Sequence, residues 1–565
     1  MRQPASQPAS QCLTKRLALV LAALFCLAGC RGGSSVPAGT GEPAAIPAAN
    51  LTETVPAETA EPAETEPLPE PDPTVCFVPA DELPETTEID ATVSLPPVAW
   101  DGVPLPEARG VVYLPIPSAD FDPARLSGLS LLTGDGEEAM LYADAAALEE
   151  ETVGGYLSEN RPVELRAAWN GEVRSLALVF TTLPVIDLER VRIRFSTKPT
   201  PGILTLWEPT ERGLRVTESA VNVNFRGASS ASLAKRGLRL ELTDAEGQPN
   251  KLSLCGLRRD NDWVLYASYS DNTHVRDALS WKIWADMTAN AGLEPAGAVG
   301  FRYVEAILEG RYSGFYLLME RMDAKQLGLG EGDSLFKVVS WDTPTWADLK
   351  KARASTVSVS SLERKVPDET PAEGLGGWDV LAQFAKLSWE SDGATFAAGI
   401  EEVVDPRNMI EYWLYVNLIM GADNSWKNVY LAVIDGRVSA YPWDLDITFG
   451  LGWNGIMANN FLYENSSAPQ SSYDLQTGRR LAKYCPEWKA YAKERWAALK
   501  EAGIADSRAI VAQAEEYWDL LHESGAWARN LERWPGTSTT DSLDYLRRMV
   551  RQRMTWMESM INGLG

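Results

Sequence analysis

Histidine and cysteine are scarce in this chain of 565 residues. Only His274 and His522 occur, so a histidine-rich metal site is excluded, and a serine triad would have to recruit one of these two. The six cysteines include no C-x-x-C pair, and those after residue 31 are far apart, which indicates neither a zinc site nor a disulfide framework: Cys76, Cys255 and Cys485. A catalytic apparatus must therefore rest mainly on carboxylates, lysine and arginine.

Basic residues are missing from the segment between Arg31 and Arg109. Residues 30–97 are instead rich in Pro, Ala, Glu and Thr, a composition that buries too little apolar surface to offset the entropy of folding. We predict a disordered linker there. The net charge of −26 argues against a nucleic-acid partner, because a duplex binder needs a basic face.

The apolar run at the N-terminus, residues 17–27, is too short for an ordinary membrane-spanning helix. It follows Lys15 and Arg16 and leads into Leu27-Ala28-Gly29-Cys30, which resembles the lipobox of bacterial lipoproteins. We therefore predict a signal peptide over residues 1–29 and membrane anchoring through a lipidated Cys30, which makes the protein an extracytoplasmic bacterial lipoprotein. An ordinary signal peptide is the alternative, and it would also export the chain.

After the linker, the periodicity of the apolar residues divides the sequence into three parts. Residues 98–183 contain short apolar or alternating runs separated by turn dipeptides, which predicts a small β-rich accessory domain. Residues 184–480 mix strands with helices, and residues 481–565 are mostly helical and rich in tryptophan. The predicted fold class is α+β.

The most informative stretch is residues 420–450, which predicts a tight hairpin with strands at residues 429–434 and 437–441 around Asp435-Gly436. The two ends of a hairpin lie side by side. Asp423 and Asn428 at one end are therefore expected close to Asp444 and Asp446 at the other. Oxygen donors of this kind suit a divalent cation rather than a hydrophobic core.

The spacing of Asp423 and Asn428 reproduces the D-x-x-x-x-N pattern of a protein-kinase catalytic loop. In that pattern, Asp accepts the proton of the substrate hydroxyl and Asn holds a metal ion. Asp444 follows after a hairpin, where such enzymes keep a second metal ligand. We predict Asp423 and Lys427 as catalytic residues, and Asn428, Asp444 and Asp446 as metal ligands.

An upstream turn, rich in small and hydroxyl residues, separates two predicted strands between Arg226 and Arg239. Its backbone N–H groups and adjacent cations form a plausible phosphate cradle. The predicted cofactor-binding residues of this turn and its flanks are Arg226, Ser229, Ser230, Lys235 and Arg239. A second hairpin around Glu309-Gly310 runs into Glu320, and the end of that strand could offer backbone groups to a nucleotide base.

Taken in order, these segments resemble the CotH (spore coat protein H) kinase family over residues 184–480. The resemblance rests on five segments: residues 225–230 with Lys235-Arg236, residues 262–265, residues 270–273 with Arg276, residues 310–321, and residues 427–428 with 442–450. It implies an atypical two-lobed protein-kinase-like fold. It also implies transfer of phosphate from ATP, with Mg²⁺ or Mn²⁺, to a hydroxyl of a secreted or cell-surface protein.

Two departures from the family pattern lie in the upstream turn. The family usually has Asn where this chain has Ala228, and an aromatic residue and a proline before the lysine where this chain has Ser232-Leu233-Ala234. The alternative is thus a non-catalytic pseudokinase that serves cell-surface attachment or assembly. A second alternative is a metal-dependent hydrolase that uses Asp423, Asp444 and Asp446.

Overall fold

The computed structural model describes residues 75–87, 96–133, 139–191, 198–227, 230–452, 477–536 and 541–564. The predicted signal peptide, Cys30 and the linker up to residue 74 lie outside these residues. Within the described ranges, no helix is both long enough and apolar enough to cross a membrane.

The N-terminal part is β-rich. Its strands are β1 (Val75–Val78), β2 (Val98–Trp100), β3 (Val103–Pro104), β4 (Glu107–Ala108), β5 (Val111–Pro115), β6 (Leu129–Leu131), β7 (Ala139–Asp144), β8 (Val163–Trp169) and β9 (Glu172–Thr181), with one short helix, α1 (Gly154–Ser158). They form one sheet in the order β1-β7-β8-β9-β5-β4 and another in the order β3-β2-β6. Alternate residues of these strands, such as Leu141, Leu165 and Leu178, are buried in a core of their own.

The structure corrects one boundary of the predicted linker. Val75–Val78 pairs in parallel with β7, with Val75 opposite Leu141. This short run of apolar residues therefore belongs to the edge of the accessory sheet. Its acidic, proline-rich surroundings hid it in the sequence.

A closed barrel follows. Its strands are β10 (Val185–Glu189), β11 (Thr200–Thr210), β12 (Gly213–Phe225), β13 (Leu238–Thr243), β14 (Asp262–Tyr266), β15 (Phe301–Leu308) and β16 (Arg311–Glu320), in the order β10-β11-β12-β13-β14-β16-β15. Parallel pairing of β10 with β15 closes it. Inward-facing apolar residues such as Leu204, Val221, Leu240 and Leu318 fill its interior, as expected for a small barrel.

The remaining chain combines helices with a sheet in the order β18-β19-β17-β20-β21. The strands are β17 (Ser334–Val338), β18 (Ser358–Val359), β19 (Leu362–Val366), β20 (Val429–Ile434) and β21 (Arg437–Pro442). The helices are α2 (Arg276–Ala291), α3 (Ala324–Leu327), α4 (Trp346–Leu349), α5 (Trp378–Ala385), α6 (Gly393–Gly399), α7 (Pro406–Ile419), α8 (Thr477–Tyr484), α9 (Pro486–Glu501), α10 (Ser507–Glu523), α11 (Ala526–Arg533) and α12 (Leu543–Asn562). The α+β class is confirmed, and the two-lobed arrangement stays a prediction.

Helix α11 joins the parts together. Its Arg529 is paired with Glu305 of the barrel, with Nη2 2.6 Å from Oε1, and also donates to Asn160 of the accessory part at 2.6 Å. Tyr113 of the accessory sheet stacks on Tyr312 of the barrel, with ring centroids 5.6 Å apart. The accessory part is thus attached through a hydrogen bond to α11 and a stacked pair of tyrosines at the barrel.

Candidate active site

Helix α7 leads the chain to Asp423. Asp405 caps its first turn by accepting hydrogen bonds from the backbone N–H groups of Arg407 and Asn408, at 3.0 and 3.2 Å. The helix ends at Met420, which adopts a left-handed conformation with φ of 56°. A single 3₁₀ turn, Asp423–Ser425, follows, and Asp423 is only 6% exposed there.

The predicted hairpin is present, with β20 and β21 paired from Val429 opposite Pro442 to Ile434 opposite Arg437. The buried side chain of Asn424 holds its open end together. Its Nδ2 donates to the carbonyl oxygens of Asn428 and Trp443, at 3.1 and 2.8 Å. Asn428 and Trp443, which are far apart in sequence, are thereby held next to the 3₁₀ turn that carries Asp423.

Two of the predicted metal ligands adopt a backbone conformation with positive φ, which residues other than glycine rarely take. Asn428 has φ of 55° and Asp444 has φ of 61°. Asn and Asp tolerate this left-handed region better than other residues. Such conformations persist where the surrounding structure imposes them, and they occur often at functional sites.

Asp423 lies beside two of the other predicted residues. Its Oδ2 is 3.6 Å from Lys427 Nζ and 3.4 Å from Asn428 Nδ2. Burial raises the pKa of Asp423, the nearby Lys427 lowers it, and the negative charge of Asp444 raises it again. The structure therefore brings Asp423, Lys427, Asn428 and Asp444 together.

A group of acids, Asp277, Asp444 and Asp446, lies around Tyr266. Burial raises the pKa of Asp446 well above its usual range, and Asp444 and Asp277 add to the effect. Burial also raises the pKa of Asp277 to about 7. The backbone N–H of Leu445 donates to Asp277 Oδ1 at 2.7 Å, and this hydrogen bond opposes the rise in pKa. Its Oδ2 is buried and has no hydrogen-bond partner among the residues described. Sequence reasoning missed Asp277, which looked like an ordinary acidic residue in the first turn of a helix.

Two cations face this acidic group. The guanidinium of Arg226 lies 5.3 Å from the ring centroid of Trp443 and 5.4 Å from that of Tyr266. The ammonium of Lys337 lies 6.0 Å from the Trp443 ring centroid. Burial and the proximity of Arg226 lower the pKa of Lys337 to about 8, while Asp444 opposes this shift.

Sequence reasoning also failed to identify Lys337 as a residue of this site. It lies in the middle of β17, directly opposite Tyr430 of the hairpin. A single lysine inside the apolar run Leu335-Phe336-Lys337-Val338-Val339 was the available signal, because a charged residue in a buried strand must face a polar site.

A buried ion-pair network supports the segment after Asp444. Arg276 is fully buried and contacts Asp271 at 2.5 Å and Asp541 at 2.8 Å. Its Nε donates to the carbonyl oxygen of Thr448 at 3.1 Å. The start of α2 and the segment of residues 445–449 are therefore fixed to one another.

The structure contradicts the predicted role of Lys235. Lys235 is 1% exposed, and its ammonium donates to the carbonyl oxygen of Phe315 and to Asn530 Oδ1, the latter at 2.9 Å. It also lies over the rings of Phe315 and Tyr316, 4.8 and 4.5 Å from their centroids. Burial lowers its pKa well below the usual range. Lys235 thus joins the loop to α11 and does not face the acidic group.

Two other residues that were predicted to bind the cofactor, Arg239 and Glu320, bind other groups of the protein in the structure. Arg239 is paired with Asp262 at 2.9 Å, together with Arg321. The carboxylate of Glu320 accepts hydrogen bonds from the backbone N–H groups of Arg258 and Gly300, at 2.9 and 3.0 Å. Both side chains therefore fulfil structural roles in the barrel.

The predicted serines are the remaining part of the cradle. Ser230 begins a short 3₁₀ turn and is exposed, and Ser229 lies outside the described residues. Of the predicted cradle, Arg226 is the residue that the structure places beside the acidic group.

The donor atoms at this site suit a hard cation. Within the described part of the chain, no cluster of three or more His, Cys, Asp or Glu residues is arranged to hold a metal ion. A metal here would need the amide oxygen of Asn428 and a carboxylate of Asp444 or Asp446, with water or phosphate oxygens completing its coordination. Mg²⁺ commonly binds in this way, through one or two carboxylates and the phosphates of a substrate. The buried, unpartnered Oδ2 of Asp277 is a further oxygen close to these acids.

Comparison with protein-family profiles gives a match to the family described as CotH kinase protein, over residues 223–557. The matched range begins in β12 and ends in α12, so it includes Arg226, Lys337 and the whole hairpin. Among curated proteins, none matches the chain.

Proposed function

The chain belongs to the CotH kinase protein family, and from that premise we propose that it is a protein kinase that transfers the γ-phosphate of ATP to a hydroxyl of a secreted or cell-surface protein. The observation that carries the proposal is the close grouping of Asp423, Asn428 and Asp444. Arg226 and Lys337 lie close to these acids. Phosphoryl transfer depends mainly on positioning and charge neutralisation, and this grouping can supply both.

In this proposal, Asp423 orients the acceptor hydroxyl and takes its proton. Burial raises its pKa, which strengthens it as a base, and Lys427 keeps the carboxylate ionised. Lys427 would then also balance the charge that develops on the phosphate being transferred. The hydroxyl oxygen forms the new bond to phosphorus as the bond to the bridging oxygen of ADP breaks.

Asn428, Asp444 and Asp446 would hold Mg²⁺ or Mn²⁺, which neutralises phosphate charge when bound. In this proposal, Arg226 and Lys337 are the cations that contact the nucleotide phosphates. Sequence reasoning assigned this role to Lys235 with the help of Arg226 or Arg239. Both pack against the indole of Trp443, which restricts where their charges can lie.

The test is transfer of labelled phosphate from ATP to proteins of the cell surface and to the protein itself. Asp423→Asn should reduce transfer by about 10²–10⁴-fold, the usual contribution of a general base, and Asp444→Asn should abolish it. The matched control is Asp435→Asn, an exposed acid at the turn of the same hairpin. Full activity in both site variants, or equal losses in all three, would overturn the assignment.

A non-catalytic role is the alternative, and the burial of Lys235 away from the site is the observation that favours it. The two functions differ in turnover. ATP with Mg²⁺ should raise the melting temperature in both cases, since a ligand that binds only the folded state stabilises it. Only the kinase releases ADP in proportion to the phosphorylated protein, whereas a metal-dependent hydrolase releases inorganic phosphate without an acceptor.

We also propose that the protein acts outside the cytoplasm as a lipoprotein, on the evidence of Leu27-Ala28-Gly29-Cys30. Metabolic labelling with a radioactive fatty acid should mark the full-length chain and not Cys30→Ala. Cys76→Ala is the matched control. Equal labelling of wild type and Cys30→Ala would remove the anchor from the proposal.

A further inference from the structure

A small cavity opens at one end of the barrel, lined by residues that were not assigned to the candidate active site. Its volume is about 270 Å³. Apolar and aromatic side chains form much of its wall, among them Phe225, Leu308 and Trp534. Phe225 and Leu308 also pack against the interior of the barrel, so the cavity occupies the barrel mouth. Barrel mouths are common positions for ligand sites.

The loop after β12 lies between this cavity and the candidate active site. Phe225 lines the cavity, whereas the next residue, Arg226, lies over Trp443 and Tyr266 beside the acids. At the other end of the loop, Arg236 lines the cavity and lies 4.9 Å from the Phe225 ring centroid. A ligand in the cavity would thus bind one side of a loop whose other side carries a residue of the active site.

Three arginines line the cavity: Arg236, Arg311 and Arg533. Arg533 is held in place, because its guanidinium lies 3.9 Å from the ring centroid of Trp534 and its Nε donates to the carbonyl oxygen of Tyr312 at 3.2 Å. Across the described ranges, neither Arg311 nor Arg533 forms an ion pair with a carboxylate. These arginines place positive charge at the cavity in a chain whose net charge is −26.

Two hydroxyl groups also line the cavity. Ser313 Oγ and the Tyr316 hydroxyl are 3.2 Å apart, and the indole N–H of Trp534 fixes the Ser313 carbonyl oxygen at 2.8 Å. Burial raises the pKa of Tyr316 to about 12, so its hydroxyl remains protonated and able to donate a hydrogen bond at neutral pH.

Size and charge together select the ligand. Pockets for drug-sized ligands span about 300–1,000 Å³, so this one suits a single side chain better than a whole nucleotide. A carboxylate can be satisfied by one guanidinium, whereas a phosphate monoester carries close to two charges and three acceptor oxygens. Three arginines with two hydroxyls fit the phosphate, and the apolar wall fits the carbon atoms that carry it. Arginine clusters recognise phosphorylated segments in other proteins.

We propose that the barrel-mouth cavity binds a phosphorylated side chain of a polypeptide, so that the protein engages substrates that already carry phosphate. The polypeptide nature of the ligand rests on the proposed kinase function. A phosphorylated segment bound at Arg236, Arg311 and Arg533 would keep a neighbouring acceptor hydroxyl near the loop that carries Arg226.

The experiment measures binding of a fluorescent phosphothreonine peptide, Ala-Glu-pThr-Ala, and of its unphosphorylated twin by anisotropy, without ATP and with EDTA. The phosphopeptide should bind at least tenfold more tightly than the twin. Arg311→Gln should weaken its binding by about tenfold, the scale of one charge-assisted hydrogen bond, and the triple change of Arg236, Arg311 and Arg533 to Gln should abolish it. Arg311 and Arg533 are exposed, so their substitution should leave the melting temperature within a few degrees.

Controls separate this proposal from its alternatives. Arg212→Gln, an exposed arginine at the opposite end of β12, should bind the phosphopeptide as the wild type does. Equal affinity for the two peptides, or unchanged binding in the triple variant, would overturn the proposal. So would inorganic phosphate or anionic phospholipid vesicles that compete as strongly as the peptide, since the source would then not be a polypeptide.

Failure of the kinase assignment would have a different signature. Asp444→Asn should lose phosphate transfer and keep phosphopeptide binding, because the residue does not line the cavity. Binding without transfer in the wild type would leave the cavity assigned and remove the kinase. Phosphate transfer without phosphopeptide binding would leave the kinase assigned and remove the assignment of the cavity.

Discussion

Lys235 and Lys337 differ in what surrounds their ammonium groups: sequence reasoning selected Lys235, whereas Lys337 is the lysine that lies near Asp444. Lys235 follows a hydroxyl-rich turn, which is where a phosphate-binding lysine is expected. Its hydrogen-bond partner Asn530 is 295 residues away in sequence, and no local pattern reveals that α11 covers it. Lys337 gave only a local hint, one charged residue inside an apolar strand. Local sequence reports on a residue's neighbours along the chain, but burial depends on elements that pack from elsewhere.

The two lysines should therefore respond differently to the same substitution. Lys337→Met should raise the KM for ATP at least tenfold with little change in melting temperature, because it removes a charge next to Asp444. Lys235→Met should leave that KM unchanged and lower the free energy of unfolding by about 1–3 kcal/mol, because it leaves two buried acceptors unpaired. Steady-state kinetics and urea denaturation of both variants provide the measurement. Equal KM changes in both variants would return Lys235 to the nucleotide site.

His274 makes stability depend on pH. Its ring packs edge-on against Phe315 with centroids 5.0 Å apart, and burial lowers its pKa to about 3, with Lys235 adding to the effect and Asp271 opposing it. The unfolded chain binds a proton at this histidine below pH 6.5 and the folded chain does not. Stability is therefore lost as pH falls from about 6.5 towards 3, at about 1.4 kcal/mol per pH unit.

The measurement is urea denaturation at pH 7.5 and pH 5 with EDTA present. Between these pH values the wild type should lose about 2 kcal/mol more stability than His274→Asn. The buried carboxyl groups with raised pKa act in the opposite direction, but they are common to both proteins and cancel in the comparison. His522→Asn removes a histidine whose pKa burial also lowers while a hydrogen bond to the Trp518 backbone raises it, and this change should alter the pH slope less. A pH slope that is identical in wild type and His274→Asn would contradict the prediction.

At the scale of elements, the hairpin was predictable because its information is local. Asp435 and Gly436 adopt φ of 49° and 75°, the left-handed pair that a tight hairpin turn requires, and alternating apolar residues flank them. The Asn424 side chain that joins its open ends was not predictable. An asparagine in a polar loop gives no sign that it is fully buried and bonded to two carbonyl groups 15 residues apart in the chain.

Asn424→Ala should separate Asn428 from Asp444 and so impair catalysis. Loss of the two hydrogen bonds should cost about 1–3 kcal/mol of stability, and misplacement of the site should lower kcat by about 100-fold. Asn408→Ala is the matched control, because Asn408 is also buried and bonds the same hairpin twice, at the N–H and carbonyl of Ala440, away from the acids. It should lose similar stability and keep kcat. Equal kcat losses would show that Asn424 acts only through stability.

At the scale of the whole molecule, the sequence indicated an accessory domain but not how it is attached. Periodicity identified the β-rich character of residues 98–183, and the apolar strand at Val75–Val78 was hidden by its acidic surroundings. The contacts that attach this part come from the barrel, through Tyr312, and from α11, which lies more than 350 residues further along the chain. That helix contacts the accessory part through Arg529 and the loop after β12 through Asn530. Long-range pairing of this kind has no signature in a single sequence.

Arg529 should be the largest single contributor to this attachment. It is nearly fully buried, its Nε and Nη2 bind both oxygens of the fully buried Glu305, and its Nη1 binds Asn160. Arg529→Met should lower the free energy of unfolding by about 3–5 kcal/mol, because it leaves the Glu305 carboxylate buried without its partner. Adding Glu305→Gln should restore part of that loss, since the charge itself is then removed. Asn160→Ala, which removes one hydrogen bond, should cost only about 1 kcal/mol. Urea denaturation followed by far-ultraviolet circular dichroism measures the wild type, these variants and the single Glu305→Gln variant, and additive losses from Arg529→Met and Glu305→Gln would show that the buried pair does not hold the parts together.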